Sequence, residues 1–271
     1  MEMSVKLFTM VKDEVDIIDE WIIYHGSMFG WRNIHIIDNG STDGTFEKIQ
    51  QFSHLIHIYT ETEYLKKGVY MKALIDTHAA PDDIVFPIDI DEFIVYYDSC
   101  ISVDRNTIHS YLQSLPPSPI YKTDYISPLI TQTGGYPSAC RSITRGQYNS
   151  GMGIMAKSFF KKEYYSGDID HGNHIPCSDY LLTKLCLVHY HERNIEQMKK
   201  KTLNNILGIG YTNSLDFLQN LIDTDPTCMG NHHVMAQIKF LENSYSISCG
   251  PPDGGNIDLT PLRDRISGGC F

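Results

Sequence analysis

The chain has 271 residues, with 22 Lys and Arg against 33 Asp and Glu, for a net charge of −11. That balance argues against a nucleic-acid-binding surface and leaves room only for a local basic pocket that could hold a phosphate. The length supports one large domain or one domain with an appendage. No apolar run reaches the ~20 residues of a membrane span, and the N-terminus lacks a signal-peptide pattern, so the expectation is a cytoplasmic protein without a transmembrane segment. Seven cysteines, none in a C-x-x-C pair, predict reduced thiols rather than a disulfide framework or a zinc site.

In chain order, Val5 to Val11 is apolar and β-branched, a strand. Lys12-Asp13-Glu14 then opens a helix, with acids where the helix dipole favours them. Its apolar positions Ile17, Ile18, Trp21, Ile22 and Met28 keep a helical period. Ile34 to Ile37 is a second strand, ending in the turn-rich Asp38-Asn39-Gly40-Ser41-Thr42-Asp43-Gly44. A helix over Thr45 to Phe52, a strand over Ile56 to Thr60, a helix over Tyr64 to His78 and a strand over Ile84 to Ile88 follow. Such alternation predicts an α/β fold with a mostly parallel, doubly wound sheet flanked by helices, with ligands beyond the carboxyl ends of the strands. Lys12-Asp13-Glu14, Asp38-Asn39 and Asp89 to Asp91 all fall at those ends.

Further on, Thr107 to Leu115 reads as a helix stopped by Pro116-Pro117, and Tyr121 to Ile130 as a strand. A strand with a return begins at Ile154. Ser178-Asp179 opens a short helix over Tyr180 to Leu185, and Leu185 to Val188 is a strand ending in His189-Tyr190-His191. Amphipathic helices over Leu215 to Ile222 and Val234 to Leu241 precede a Gly/Pro-rich tail from Cys249 to Phe271, expected to wrap the surface or fray. Asn231-His232-His233 reads as surface.

The chemistry concentrates after the fourth strand, in Asp89-Ile90-Asp91-Glu92. Residues two apart in extended chain share a side, so Asp89 and Asp91 can converge. Two carboxylates beside a core strand repel unless a cation lies between them, and oxygen ligands suit Mg²⁺ or Mn²⁺. A D-x-D tripeptide also occurs in solvated acidic turns, so its context decides. Glu92 either orients these ligands or lies on the surface.

That context resembles glycosyltransferases of the GT-A (Rossmann-like) fold, in the family-2 and family-92-like groups. The resemblance is carried by Val11-Lys12-Asp13-Glu14, Glu20-Trp21 with Tyr24-His25, Ile37 to Thr45 and Asp89-Ile90-Asp91-Glu92-Phe93. It resumes at Leu187-Val188-His189-Tyr190 with Arg193 and Lys201. It implies a nucleotide-sugar donor, UDP-linked, a glycan acceptor, and a Mn²⁺ or Mg²⁺ cofactor. By resemblance Val11, Glu14, Asp38 and Lys67 line the nucleotide pocket, and Asp89 and Asp91 handle the metal and the ribose-diphosphate. His189 completes the metal's coordination or touches the diphosphate, and Arg193 and Lys201 contact phosphate.

The expected architecture is a GT-A-like catalytic domain over residues 1–212, with a nucleotide-sugar half (1–98) and an acceptor half (99–212). A C-terminal helical extension and irregular tail cover 213–271. The expected function is metal-dependent, inverting sugar transfer to a glycan hydroxyl. Inversion needs a base to take the acceptor proton. Asp170, beside His171 in Asp168-Ile169-Asp170-His171-Gly172-Asn173-His174, is one candidate, and Asp179 is the other. Two rivals are a metal-dependent nucleotidyltransferase and a non-catalytic glycan-binding module.

Overall fold

Eleven strands and nine α-helices are formed among the described residues of a computed structural model, which are 4–150, 153, 156–250 and 255–268. The first half is β1 (Val5–Val11), α1 (Ile18–Phe29), β2 (Ile34–Asp38), α2 (Thr45–Gln51), β3 (His57–Thr60), α3 (Lys67–His78) and β4 (Ile84–Pro87). β5 (Glu92–Asp98), β6 (Cys100–Ser102), α4 (Arg105–Ser114), β7 (Ile120–Pro128), α5 (Ala139–Ser142), β8 (Arg145–Asn149), β9 (Ser158–Lys161) and β10 (Tyr180–His189) follow. The chain ends with α6 (Ile195–Ile209), α7 (Leu215–Thr224), α8 (Asn231–Leu241), β11 (Ile257–Asp258) and α9 (Thr260–Ser267).

The sheet runs β3-β2-β1-β4-β9-β7-β10-β5-β6, with β8 branching from β7 and β11 from β8. The four strands β3, β2, β1 and β4 are mutually parallel, as alternating strands and helices require. β7 and β10 are also parallel, whereas β9, β5, β6 and β8 enter antiparallel, so the second half of the sheet is mixed. The α/β class therefore holds.

The centre of the sheet explains its sequence. β1 lies between β2 and β4, and six of its seven residues are buried, which is why Val5–Val11 is a continuous apolar run rather than an alternating one. The side of α1 that faces the sheet carries Trp21, Tyr24 and His25, all within 1% of full burial. Trp21 Nε1 donates to the Glu92 carbonyl at 3.0 Å and Tyr24 Oη to that of Ile94 at 2.6 Å. His25 Nε2 accepts the Ile94 N–H at 3.4 Å. Residues that carried the family resemblance thus anchor β5, directly after the acidic turn.

Four expectations are corrected. The helix expected from Lys12 begins only at Ile18, because Asp13 takes a left-handed φ of 55° and the segment turns before it coils. Glu92–Asp98, not foreseen as a strand, is β5, in keeping with its β-branched and aromatic run. The helix expected over Tyr180 to Leu185 is instead the first half of β10, paired with β7. Pairing on a central strand overrides the helical preference of a Leu-rich run. The tail does not fray over its described part: β11 pairs with β8, and Leu259, Leu262 and Ile266 of the α9 region enter the main core. The expected strand start at Ile154, and the parts of the tail at 251–254 and 269–271, lie outside the described residues.

α6, α7 and α8 enclose a small core of their own, Ile206, Leu218, Cys228, Val234 and Ile238. α6 starts on Asn194, whose side chain accepts the Gln197 N–H at 2.8 Å, and stops at Gly210 with φ 97°, a left-handed helix end that favours glycine. No described helix is long and apolar enough to cross a membrane.

Candidate active site

Around β1 the strand order reverses, with β2 on one side and β4 on the other. Loops leaving the carboxyl ends of such strands diverge and open a crevice. A cavity of about 790 Å³ lies there, lined by Val11, Lys12 and Glu14 after β1, Asn39 after β2, and Asp89 to Asp91 after β4. The loop 171–174, the end of β10 with His191, and α6 and α8 form its other walls. Its size is in the range of small-molecule sites.

Asp89 and Asp91 both face this cavity but serve different partners. Lys67 Nζ donates to Asp89 Oδ1 at 2.9 Å, Asn173 Nδ2 to the same oxygen at 2.9 Å, and Lys157 Nζ to Oδ2. Burial works to raise the Asp89 carboxyl, yet Lys157 and Lys67 outweigh it and hold it well below the usual carboxylate range. Glu92 is fully buried beneath: its Oε2 accepts the Asp89 N–H at 3.0 Å and its Oε1 lies 3.3 Å from Lys157 Nζ. Glu92 is therefore a buried acid bonded beneath Asp89 rather than a surface acid. Burial lowers the Lys157 ammonium, but Asp89 and Glu92 more than reverse this, so it stays charged. Lys67 is buried at the first turn of α3 and also donates to the His171 carbonyl at 2.9 Å. A Cβ on its neighbour Gly68 would run into the Ile169 carbonyl, so glycine lets the helix meet that loop.

Asp91 belongs to a second set. Its carboxylate, His189 and His191 each offer a ligand atom, all within 4.8 Å of one another, the one such group among the described residues. His189 Nε2 is 3.5 Å from Asp91 Oδ1, and Lys201 Nζ is 2.7 Å from Oδ2 and 3.2 Å from His191 Nδ1. Burial would raise the Asp91 carboxyl, and Lys201, His189 and Arg193 together pull it well below its ordinary value. The charge of Lys201 and burial keep the His191 imidazole neutral, the form that ligates metals. One carboxylate and two imidazoles offer a divalent metal ion three ligand atoms from the chain. Asp89, with both oxygens engaged by ammonium groups, stands outside this set. His191 was missed in the sequence although it shares a side with His189 at the i, i+2 spacing.

Other expected residues fall as follows. Val11, Glu14, Lys67 and Lys201 line the cavity. Arg193 does not reach it: the side chain is buried, bonded to Glu14 and the Tyr190 carbonyl and, through Nε at 2.9 Å, to Asp16. Its nearest approach to Asp91 is 3.7 Å. An arginine at the foot of a strand reads alike in sequence whether it faces phosphate or the core. Asp38 is buried beside the cavity, its Oδ2 accepting the Gly40 and Ser41 N–H groups at 3.1 Å while Oδ1 has no hydrogen-bond partner among the described residues. Asn39 takes the lining position. Burial raises the Glu14 carboxyl against the pull of Arg193.

Neither expected base lines the cavity. Asp179 is exposed on the loop before β10, a consequence of β10 being a strand and not a helix. Asp170 is turned onto its own loop, accepting the His174 N–H at 2.7 Å. His171 and His174 line the cavity instead, as do His232 and His233 at the start of α8, which the sequence reading left on the surface. His232 is exposed and His233 half-buried, and nothing local marks them as cavity-lining, because only the fold of α8 onto α6 brings them there.

No protein-family model matches the chain, and no curated protein sequence matches it. Among solved structures, the chain is similar to residues 1–349 of S. aureus TarS, at 10% identity and a TM-score of 0.45, over 87% of this chain and 70% of that one. The same protein in complex with UDP matches at 10% identity and a TM-score of 0.40, over 89% and 71%. Glucosyl-3-phosphoglycerate synthase from Mycobacterium tuberculosis, in complex with Mg²⁺ and UDP, matches at 15% identity and a TM-score of 0.32, over 45% and 44%.

Proposed function

We propose that this protein is a glycosyltransferase that moves a sugar from a UDP-linked donor to a glycan hydroxyl with inversion. The observation that carries the reading is the cation arrangement at the head of the crevice. Asp91, His189 and His191 form a ready ligand set, and Lys67, Lys157 and Lys201 converge on the two aspartates beside it.

The charges decide the chemistry. The three ammonium groups already face three carboxylates, Asp89, Asp91 and Glu92. A diphosphate entering this crevice would add charge that these lysines cannot balance alone. Asp91, His189 and His191 would hold a divalent ion, which would supply that counter-charge to a departing diphosphate. Lys201 lies on the same carboxylate and is placed to turn toward a phosphate oxygen. Val11, Glu14, Asn39 and the buried Asp38 form the end suited to the nucleoside.

The test is direct. The purified protein is titrated with UDP by calorimetry, with and without Mn²⁺, and then screened with nucleotide sugars for UDP release. Mn²⁺-dependent UDP binding with release of UDP supports the reading. Absence of both sinks it. Product analysis separates the rivals: a nucleotidyltransferase yields a nucleotidylated product, and a binding module yields none. A product that keeps the donor's anomeric configuration removes the inverting mechanism.

A further inference from the structure

A transferase of this kind needs a proton acceptor on the side of the cavity away from the diphosphate, and neither expected aspartate stands there. Asp89, at the head of the crevice, has both oxygens taken by Lys67, Asn173 and Lys157. The loop 170–174 meets Asp89 through Asn173 and gives His171, Gly172 and His174 to the cavity lining, and it is built around one imidazole.

His174 lines the cavity. Its main-chain N–H donates to Asp170 Oδ1 at 2.7 Å, and its Nδ1 stands 3.5 Å from Asp170 Oδ2. The carboxylate thus spans the backbone and the ring of the same residue, which favours a proton on Nδ1 and leaves Nε2 a free acceptor. The ring lies over Gly172, where a Cβ would strike its Cε1 and Nδ1. Asn173, in a left-handed turn with φ 57°, donates to Asp89, and the Lys67 ammonium holds the His171 carbonyl. The loop is pinned at 171 and 173, just before His174, and glycine at 172 makes room for the ring. Burial works to raise the Asp170 carboxyl, yet its hydrogen bonds from the His174 ring and backbone hold it below the ordinary value. The charged groups around the pair are Lys157, Lys67 and Asp89 toward the crevice, Lys122 from β7, and the neighbouring His171.

We infer that His174 is the general base of the reaction and that Asp170 positions it, an Asp–His pair in place of a carboxylate base. The inference rests on the transferase reading above. In the step, the acceptor hydroxyl gives its proton to His174 Nε2 as its oxygen bonds to the anomeric carbon. The bond from that carbon to the diphosphate oxygen breaks, and its electron pair leaves with the nucleoside diphosphate. The imidazolium then returns the proton to solvent, so no co-reactant is needed.

The experiment follows UDP release from UDP-glucose and UDP-N-acetylglucosamine with Mn²⁺, water serving as acceptor, across pH 5 to 9, with UDP affinity measured in parallel. His174→Gln is expected to lower the rate by ~10²–10⁴-fold, to leave UDP affinity within about twofold, and to erase the acid limb of the pH profile. Asp170→Asn is expected to lower the rate less and to move the acid limb to lower pH, because the imidazolium loses its counter-charge. A merely structural Asp170 would not move that limb. Gly172→Ala, which displaces the ring without removing it, should also slow release and retain UDP binding. A His174→Gln protein that binds UDP and releases it at the wild-type rate, with the acid limb intact, overturns the base while leaving the transferase reading in place. A wild-type protein that neither binds UDP nor turns over overturns both.

Discussion

Lys201 Nζ lies 2.7 Å from Asp91 Oδ2, on the carboxylate that also belongs to the one three-ligand set among the described residues. An ammonium group and a divalent ion compete for that oxygen. Lys201→Met should therefore tighten Mn²⁺ binding to the nucleotide-free protein by about tenfold, roughly 1.4 kcal/mol. The same change should weaken UDP binding, since it removes the ammonium proposed to meet a phosphate. Calorimetric titration of both ligands checks this, and weaker binding of Mn²⁺ would show that Lys201 supports the metal rather than competing with it.

The ligand set makes a second prediction. Asp91→Asn and His191→Ala should each weaken Mn²⁺ binding at least tenfold and abolish metal-dependent UDP binding. Asp89→Asn should leave Mn²⁺ affinity nearly unchanged, because Asp89 serves Lys67 and Lys157. Electron paramagnetic resonance of bound Mn²⁺ reads the distinction. Equal losses for Asp89 and Asp91 would restore a paired-carboxylate site.

Arg193 supplies a third. Its buried guanidinium meets Glu14 and Asp16 from across the chain, and removing one partner of a buried charge network leaves carboxylates uncompensated. Such losses run to ~3–5 kcal/mol, so Arg193→Ala should lower the melting temperature by roughly 10 °C. Any drop in UDP affinity should then track folding. A stable Arg193→Ala protein with weak UDP binding would return Arg193 to the phosphate site.

Much of the first half was legible because local and global signals agree there. Val5–Val11, Ile34–Asp38 and Ile84–Pro87 are apolar runs between turn residues, and parallel strands buried on both faces leave that trace. The second half was less legible because its strands pair at long range in mixed directions: Tyr180–His189 reads locally as helix then strand, and only β7 and β5 make it one. At the site, position along the chain located Asp89, Asp91, His189 and Lys201, but not which cation each carboxylate meets. Lys157 and Asn173 reach Asp89 from sequence separations of 68 and 84 residues, a proximity no motif records. The sequence also does not say that the Asp170 carboxylate faces His174 and not the cavity.

The last prediction concerns acid stability. His35 is buried on β2, stacked on Phe8 with centroids 4.6 Å apart and on His57 at 4.5 Å, while His78 from α3 closes at 4.8 Å. Burial, with the neighbouring His57, His78 and Lys6, pushes the His35 imidazole down to about 3. The unfolded chain titrates this group near pH 6.5, so between those values the unfolded state binds more protons. Stability therefore rises with pH across that window and is lost as pH falls from about 6.5 toward 3, at ~1.4 kcal/mol per pH unit for each such group. His25 and His233, also pushed down to about 3 by burial, add to the slope. Replacing His35 by Phe keeps an aromatic ring in the stack and removes one titrating group. Urea unfolding at intervals from pH 7.5 to 4.5 should show a shallower acid loss in His35→Phe by about one proton's worth. An unchanged slope would mean that the stack opens on protonation at no cost to the fold.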